Sequence, residues 1–340
     1  MWSAGLKWMF LIIGTTIGAG YASGRELWQF FGHESGLAIV LFVLFFSISC
    51  GVILQISYKQ QSSYYLPVLR EIVGKRLTGF YDVMIFVYLF TTTVVMIAGS
   101  GATGQAFHLS QWPGIVIMVV ALIVLFIRGI NGLLVINQLI LPLLIGGLLF
   151  VLLLFTADQE LALFSHWDEQ RNWTAAFPFT ALNILPLIAV LGAIGNKVKS
   201  KQEIWIACLG SGLILGIVSY VYNNSLIQIA DEVILYEIPL FAILRDYPFE
   251  MLIFMGILLW FAIFTTAASG MLGIVTRIQQ HVKQPLSLIV MVTLATMVPL
   301  TTFGFSTLIA YIYPVYGILN LYVLTRLLLY PVWYKLERRS

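Results

Sequence analysis

Residues 14–24 read GTTIGAGYASG and lie inside the first apolar run of a chain of 340 residues. The stretch holds four glycines and three aliphatic hydroxyl side chains, where a membrane helix would ordinarily use leucine, isoleucine and valine. Glycine permits a backbone that is not helical, and unpaired backbone groups at membrane depth are tolerated only against protein or a water-filled cavity. The stretch therefore predicts an interrupted first span. Because the spacings Gly14–Gly18 and Gly20–Gly24 are each GxxxG, close packing of an intact helix is the alternative.

The composition is that of an integral membrane protein with all-α structure. Hydrophobic residues make up 60% of the chain and charged residues 10%, with a mean hydropathy of +0.95. A soluble domain cannot bury that share of apolar side chains, and about 20 apolar residues span a bilayer as a helix. The sequence predicts ten such spans, at residues 6–31, 36–58, 80–104, 112–128, 134–156, 174–195, 203–229, 250–276, 286–303 and 306–334.

The basic residues predict the orientation of these spans. With the N-terminus in the cytoplasm, fifteen of the eighteen lysines and arginines fall in cytoplasmic loops and tails. The outer exceptions are Arg25, Arg171 and Arg245. This bias follows the positive-inside rule and predicts a multi-pass protein of the cell membrane with both termini cytoplasmic. The lipid bilayer is then the expected surroundings, and the net charge of +3 requires no nucleic acid partner.

The ten spans form a single transmembrane domain, 1–340, that divides into five and five. The polar stretch 157–173 separates a first repeat, 1–157, from a second, 172–336. A five-helix unit starts and ends on opposite sides of the membrane, so a second copy is necessarily inverted. The first helix of the second repeat contains FPFTALNILP at 177–186, with two prolines and Asn183. A break is therefore predicted in span six as well as in span one, and a transport site where the two breaks meet.

No catalytic motif is visible, and the sequence does not predict an enzyme. The sequence contains no HExxH or GxSxG motif, and GAGYASG has neither the spacing of a dinucleotide fingerprint nor a preceding strand. Arg25 and Glu26 follow the interrupted stretch and are predicted to form an outer gate; snorkelling to the membrane interface is the alternative. The outer segment 230–249 contains IPLFAIL, which forms either a lid over the site or a helix on the membrane surface.

Span eight contains FAIFTTAASG at 261–270. Ala262, Thr265 and Thr266 are spaced i, i+3 and i+4 and share one helix face. Threonines in membrane helices commonly bond to carbonyls of their own helix, so packing is the default interpretation of this pattern, and an ion site is the other.

Ten spans with broken first and sixth helices resemble the LeuT fold of the amino acid, polyamine and organocation transporters. Gly14-x-x-Ile17-Gly18-x-Gly20 is similar to the first-helix motif of that fold, and Ala262-x-x-Thr265-Thr266 to its span-eight sodium motif. The stretch GTTIGAGYASGRELWQFF also resembles YkvI-type bacterial membrane proteins. The resemblance implies one sodium ion, the suspected coupling ion, held by backbone or hydroxyl oxygens of Gly14, Ile17, Ala262, Thr265 and Thr266.

The resemblance also implies a substrate site at the breaks, bordered by Thr15, Thr16, Ala19, Gly20, Phe179 and Thr180. Tyr21 and Asn183 lie in the same two stretches and are expected to join it. The exposed amides after the break suit a carboxylate. The nearby aromatic side chains would instead suit a quaternary ammonium group, or belong to ordinary packing. The sequence predicts ten spans, where many relatives have two more. It also has no lysine in the middle of span five, where certain proton-coupled relatives carry one, and this difference disfavours proton coupling.

These expectations describe a secondary active transporter that moves a small-molecule substrate, an amino acid or similar zwitterion or amine, by alternating access with sodium. No organic cofactor is expected, because the chemistry is binding and release. A sensor or scaffold that keeps the fold without transporting is the alternative. A channel is disfavoured because no ring of charge or filter loop is present in the sequence.

Overall fold

The computed structural model describes residues 2–128, 131–160, 170–279 and 282–337, and no β-strand occurs in those ranges. The stretch 161–169 separates two parts of the described chain. In the first part the α-helices are α1 (Trp2–Thr16), α2 (Ala19–Ala22), α3 (Arg25–Phe30), α4 (Gly36–Gln60), α5 (Leu66–Val73), α6 (Lys75–Gln105), α7 (Gln111–Arg128) and α8 (Asn131–Asp158).

The second part opens with a 3-10 turn, Arg171–Ala175, that leads directly into a helix. Further 3-10 turns lie at Gly195–Lys197, Leu244–Asp246 and Val298–Phe303. The α-helices are α9 (Ala176–Gly192), α10 (Lys201–Gln228), α11 (Ala230–Val233), α12 (Pro239–Ile243), α13 (Phe249–Gln279), α14 (Leu286–Met297), α15 (Phe305–Leu319) and α16 (Leu321–Glu337).

Within the described residues, eight helical segments are long and apolar enough to cross a membrane, and a bent pair makes a ninth. The pair is α15 with α16, which meet at 41° within the span predicted for 306–334. In the first span, the apolar helix Ala4–Thr16 rises only about 20 Å at 1.5 Å per residue, less than the hydrocarbon core of about 30 Å. This span therefore depends on α2 and α3 to continue beyond the end of α1.

The predicted break in span one is confirmed. Helix α1 ends at Thr16, Ile17 and Gly18 are not helical, and the short α2 and α3 follow. The stretch is thus not the intact helix that GxxxG packing requires.

The predicted break within 177–186 of span six is wrong, because α9 runs continuously from Ala176 to Gly192. Pro178 lies in the first helical turn, where a backbone N–H has no partner to lose. Pro186 lies inside the helix and removes one bond without ending it. The Asn183 amide donates to the Phe179 carbonyl at 2.9 Å, so this polar side chain is satisfied within the helix. The chain leaves α-helical geometry only after Gly192.

The core lies where the interrupted span packs between longer helices. Helix α1 packs on α10 and α9, α4 packs on α9 and α10, and α6 packs on α13. The α3 segment lies against α15 and α10. The first span and α9 are therefore enclosed by α4, α10, α13 and α15, and this packing sets the position of the site.

Candidate functional site

The backbone of span one opens at residues 17 and 18. Gly18 has extended geometry, φ −94° and ψ −172°, and its N–H donates to the Thr16 carbonyl at 2.9 Å instead of continuing the helix. In a regular α-helix that N–H would pair with the Gly14 carbonyl. In the part of the chain that the structure describes, no donor pairs with the carbonyl oxygens of Gly14 or Ile17. Both are available as ligands at the break.

Helix α13 brings its threonines to this opening. A β-carbon placed on Gly18 would lie 3.6 Å from the Thr266 methyl group. The hydroxyls of Thr265 and Thr266 donate to the Ala262 carbonyl at 3.1 Å and 2.8 Å. A hydroxyl that donates its hydrogen keeps oxygen lone pairs that can coordinate a cation. The Thr266 side chain of α13 therefore lies beside Gly18 at the break, and α13 packs on α2.

The other hydroxyls predicted at the site bond to their own helices. Thr15 donates to the Leu11 carbonyl at 2.8 Å, Thr16 to Ile12 at 3.0 Å, and Thr180 to Ala176 at 2.5 Å. Thr15 is partly exposed, whereas Thr16 and Thr180 are buried. These three hydroxyls therefore do not link one helix to another.

Two of the predicted aromatic site residues pack into the core. The Phe179 ring lies 4.5 Å from that of Phe31 and 4.7 Å from that of Phe42, between centroids. The Tyr21 hydroxyl contacts the Leu215 carbonyl and the Ser219 hydroxyl of α10, both at 2.7 Å. Ala19, between the break and Tyr21, is fully buried. The structure places Phe179 in an aromatic cluster and turns Tyr21 towards α10.

Gly24 sets the second bend of span one. Its φ of +82° is left-handed, a conformation that glycine adopts without strain. A β-carbon there would lie 2.7 Å from the Tyr222 ring of α10, whose hydroxyl donates to the Ala22 carbonyl at 3.2 Å. After this bend the chain enters α3, where the side chains of Arg25 and Glu26 point in different directions.

Arg25 points outward and holds the outer segment against span one. Its guanidinium donates to the Val233 carbonyl at 3.2 Å, to the Glu237 carbonyl at 3.3 Å and to the Tyr236 carbonyl. The Leu240 N–H of α12 also donates to the Ser23 carbonyl at 3.0 Å. The segment predicted as a lid therefore lies on the broken span, and Arg25 fastens it there.

Glu26 points inward, to the predicted substrate site. It is 4% exposed, and Asn183, which is 5% exposed, donates its amide to the Glu26 carboxylate at 3.4 Å. A β-carbon on Gly20 would lie 2.9 Å from Glu26 Oε2 and 3.2 Å from the Tyr313 ring. Gly20, Glu26, Asn183 and Tyr313 therefore converge. Consecutive residues of a helix face different directions, so the separation of Arg25 from Glu26 could have been predicted from the sequence. The position of Tyr313 beside Gly20 and Glu26 could not.

A polar stripe runs along α13 from the break towards the end of the helix at Gln279. Thr266 and Gly273 are partly exposed, Ser269 and Thr276 are exposed, and all four share one face. On the other side of the opening, Gly14 and Thr15 are also partly exposed. The hydroxyls of Ser269 and Thr276 donate to the Thr265 and Leu272 carbonyls, each at 2.8 Å, so this exposed face carries hydroxyl groups that are satisfied within α13.

Beyond this stripe, α13 is fixed to α6 by an ion pair. Arg277 pairs with the Asp82 carboxylate and donates to the Asp82 carbonyl at 2.9 Å. The Tyr65 hydroxyl donates to Asp82 at 2.5 Å. The loop before α5 also binds the end of α9, since Ser62 donates to the Gly192 carbonyl at 2.7 Å. These contacts join α5, α6, α9 and α13 at one end of the bundle.

No protein-family model matches the chain. Bacillus subtilis YyaD, an uncharacterized protein, is 46% identical over 332 residues that cover 98% of each chain. YkvI, an uncharacterized membrane protein of the same organism, is 25% identical over 320 residues that cover 92% of each. The crystal structure of MhsT in complex with L-phenylalanine superposes with a TM-score of 0.68 and 12% identity, covering 94% of this chain and 87% of MhsT.

The manganese transporter of Eremococcus coleocola, in complex with an aromatic bis-isothiourea compound, superposes with a TM-score of 0.64 and 15% identity. The match covers 96% of this chain and 78% of the transporter. These two structures establish the fold, and the identity to YyaD over nearly the whole chain establishes the family. The chain belongs to the family of Bacillus subtilis YyaD, has YkvI as a homologue, and adopts the LeuT fold.

Proposed function

We propose that this chain is a secondary active transporter that carries a small solute across the cell membrane by alternating access, with sodium as the coupling ion and no organic cofactor. The observation that carries the proposal is the opening at Ile17 and Gly18, which faces α13 and lies close to the buried group around Gly20, Glu26 and Asn183. An interrupted helix inside a bundle is the usual binding site of such transporters. The fold shared with MhsT, crystallised with L-phenylalanine, supports an amino acid or amine as solute.

The local chemistry favours sodium at the break. Hard cations bind oxygen ligands, and the opening offers the carbonyls of Gly14 and Ile17, with no donor paired to them in the described chain. Thr266 of α13 lies beside Gly18 at the same opening. Gly14, Ile17, Ala262, Thr265 and Thr266 are the ligands we propose. A bound ion would tie the end of α1 to α13. Sodium binding would thereby set the distance between the moving first span and the bundle.

Corresponding short helices support ten crossings arranged as inverted repeats, 1–157 and 172–336, with α1, α2 and α3 together as the first crossing. Helix α5 lies between spans two and three, and α12 between spans seven and eight. The segment that leads to α5 binds the end of α9 through Ser62, and α12 binds the bend of span one at Ser23. The segment around the short helix of each repeat thus contacts the first span of the other repeat. The distribution of basic residues supports an orientation with both termini in the cytoplasm.

Within this proposal, we assign the structure to a state that is closed outside and accessible from inside. Arg25 and α12 cover the outer end of span one. The polar stripe from Thr266 to Thr276 leads from the break towards the proposed cytoplasmic side. Release of the outer segment, with approach of α1 to α13, would produce the opposite state. The proposed cycle therefore alternates between two sets of contacts around one site.

The test is sodium-dependent stability followed by flux. The purified protein in detergent is expected to be more stable in sodium than in potassium, by about 1.4 kcal/mol when sodium is at ten times its Kd. The double variant Thr265→Ala/Thr266→Ala should lose that difference. Thr293→Ala is the matched control, because Thr293 is also buried and donates to a carbonyl one turn earlier, Ile289, but lies on α14.

Flux in proteoliposomes then separates a transporter from a sensor. An inward sodium gradient should drive the uptake of the solute that stabilises the protein, and the double variant should abolish this coupling. Full sodium stabilisation in the double variant would show that the proposed ion site is wrong. Solute binding without any flux would support the sensor or scaffold.

A further inference from the structure

Glu26 is a buried carboxylate without a cation. It is 4% exposed, and no basic side chain among the described residues lies within ion-pair distance of it. Among the described residues, the Asn183 amide donates to Glu26 Oε1 at 3.4 Å, and Oε2 lies beside Gly20. An ionised carboxylate in this position has lost most of its hydration without gaining a counter-charge, and that loss is costly.

A second buried glutamate shows how the chain satisfies a carboxylate when its role is structural. Glu203 is 3% exposed, and its carboxylate accepts from the Lys199 N–H at 3.2 Å and from the Trp8 indole at 3.4 Å. It also lies in the first turn of α10, a long helix whose N-terminus favours negative charge. Glu26 has neither the second donor nor a long helix.

The basic residue next to Glu26 does not neutralise it. The Arg25 guanidinium donates to three carbonyls of the outer segment, at Val233, Tyr236 and Glu237. Its hydrogen-bonding capacity is directed away from the site, on the opposite side of α3. The bend at Gly24 therefore separates two adjacent charges that could otherwise have formed a pair.

Tyr313 of α15 lies on the inward side of Glu26. A β-carbon on Gly20 would lie 3.2 Å from the Tyr313 ring and 2.9 Å from Glu26 Oε2, so the ring and the carboxylate border the same position. The faces of aromatic rings attract cations, and a carboxylate adds a full negative charge. This surrounding suits an organic cation and repels an anion.

We propose that Glu26 is the counter-ion for the ammonium group of the transported solute, with Asn183 and Tyr313 completing the subsite. This assignment rests on the proposed transport function and deepens it: the substrate is an amine or an amino acid, and an ammonium group is required for its recognition. A solute that carries only a carboxylate is excluded by repulsion from Glu26.

The test uses matched solutes that differ only in the charged group. Two series are measured by thermal shift and by binding: L-alanine, ethylamine and propionate, and L-phenylalanine, 2-phenylethylamine and 3-phenylpropionate. In the wild-type protein, solutes with an ammonium group should bind and the two carboxylates should not. Glu26→Gln should weaken binding of the ammonium solutes at least tenfold, while Glu26→Asp should retain the preference for ammonium at lower affinity. Glu250→Gln, an exposed carboxylate in the first turn of α13, is the control and should bind as wild type.

The outcomes separate this proposal from the transport proposal. Sodium stabilisation should survive in Glu26→Gln, because Glu26 is not among the proposed sodium ligands, and its survival also shows that the variant is folded. Equal binding of carboxylates and amines, or no binding of any ammonium solute, overturns the counter-ion. Unchanged solute affinity in Glu26→Gln together with a lost pH dependence of flux would make Glu26 a proton site and also overturn it. Absence of sodium stabilisation and of flux in the wild type is instead a failure of the transport proposal.

Discussion

Replacement of Gly24 by alanine tests the bend that directs Arg25 and Glu26 to opposite sides of α3. Gly24 has φ of +82°, and a β-carbon there would lie 2.7 to 2.8 Å from three atoms of the Tyr222 side chain. Tyr222 is fully buried and cannot swing away into solvent. The substitution therefore imposes both backbone strain and a steric overlap.

The two costs can be estimated separately. An alanine in left-handed geometry costs roughly 1 to 2 kcal/mol. Overpacking of a buried contact by one methyl group costs about 1 to 3 kcal/mol. We therefore expect Gly24→Ala to lower the free energy of unfolding by about 2 to 5 kcal/mol, and to disturb solute binding because α3 must move.

The assay is unfolding in mixed detergent micelles, with Gly79→Ala as the control. Gly79 lies in the helix α6, is exposed, and has nothing within 4 Å of a β-carbon position. Alanine there should be neutral or stabilising by up to about 1 kcal/mol. In a Tyr222→Ala background, Gly24→Ala should cost only the backbone part, and the difference between backgrounds measures the overlap. A wild-type unfolding midpoint for Gly24→Ala would refute the reasoning.

Two further predictions concern access to the site. In a background that replaces the two buried cysteines, Cys50 and Cys208, by alanine, Ser269→Cys should react with a membrane-impermeant thiol reagent added on the cytoplasmic side, and sodium with solute should slow the reaction. Protection from the reagent in every condition would contradict a water-filled path along α13. Arg25→Ala should release the outer segment: loss of about 2 kcal/mol from hydrogen bonds to a charged group predicts about thirtyfold faster amide exchange over residues 230–246. Unchanged exchange there would show that Arg25 does not hold the segment closed.

The break in span one could be predicted because its cause is local. Glycine and hydroxyl residues replace the branched apolar residues of a membrane helix, and this composition marks a backbone that leaves helical geometry. The fold followed from the same stretch together with the number and polarity of the spans. The 41° bend between α15 and α16 carries no comparable signal, because the apolar run continues through it.

The break in span six was predicted from its prolines, and the effect of a proline depends on its position in the helix. A proline interrupts a helix only if its position requires a backbone donor, and Pro178 lies where none is required. The exact start of a helix is the part of a sequence pattern that is least well determined. The 3-10 turn at Arg171–Ala175, which places Pro178 in the first turn of α9, could not be read from composition.

The arrangement of Arg25 and Glu26 explains why site and gate are linked. Both belong to α3, a helix of six residues held at one end by the bend at Gly24. Arg25 binds the outer segment, and Glu26 faces the site beside Asn183. If an ammonium group binds Glu26 more tightly in the closed orientation of α3, the same solute stabilises closure at Arg25 by that difference in affinity, and closure strengthens solute binding by the same amount. Arg25→Ala should therefore weaken solute binding even though its side chain points away from the site, whereas loss of gating without any loss of affinity would show that α3 does not transmit the coupling.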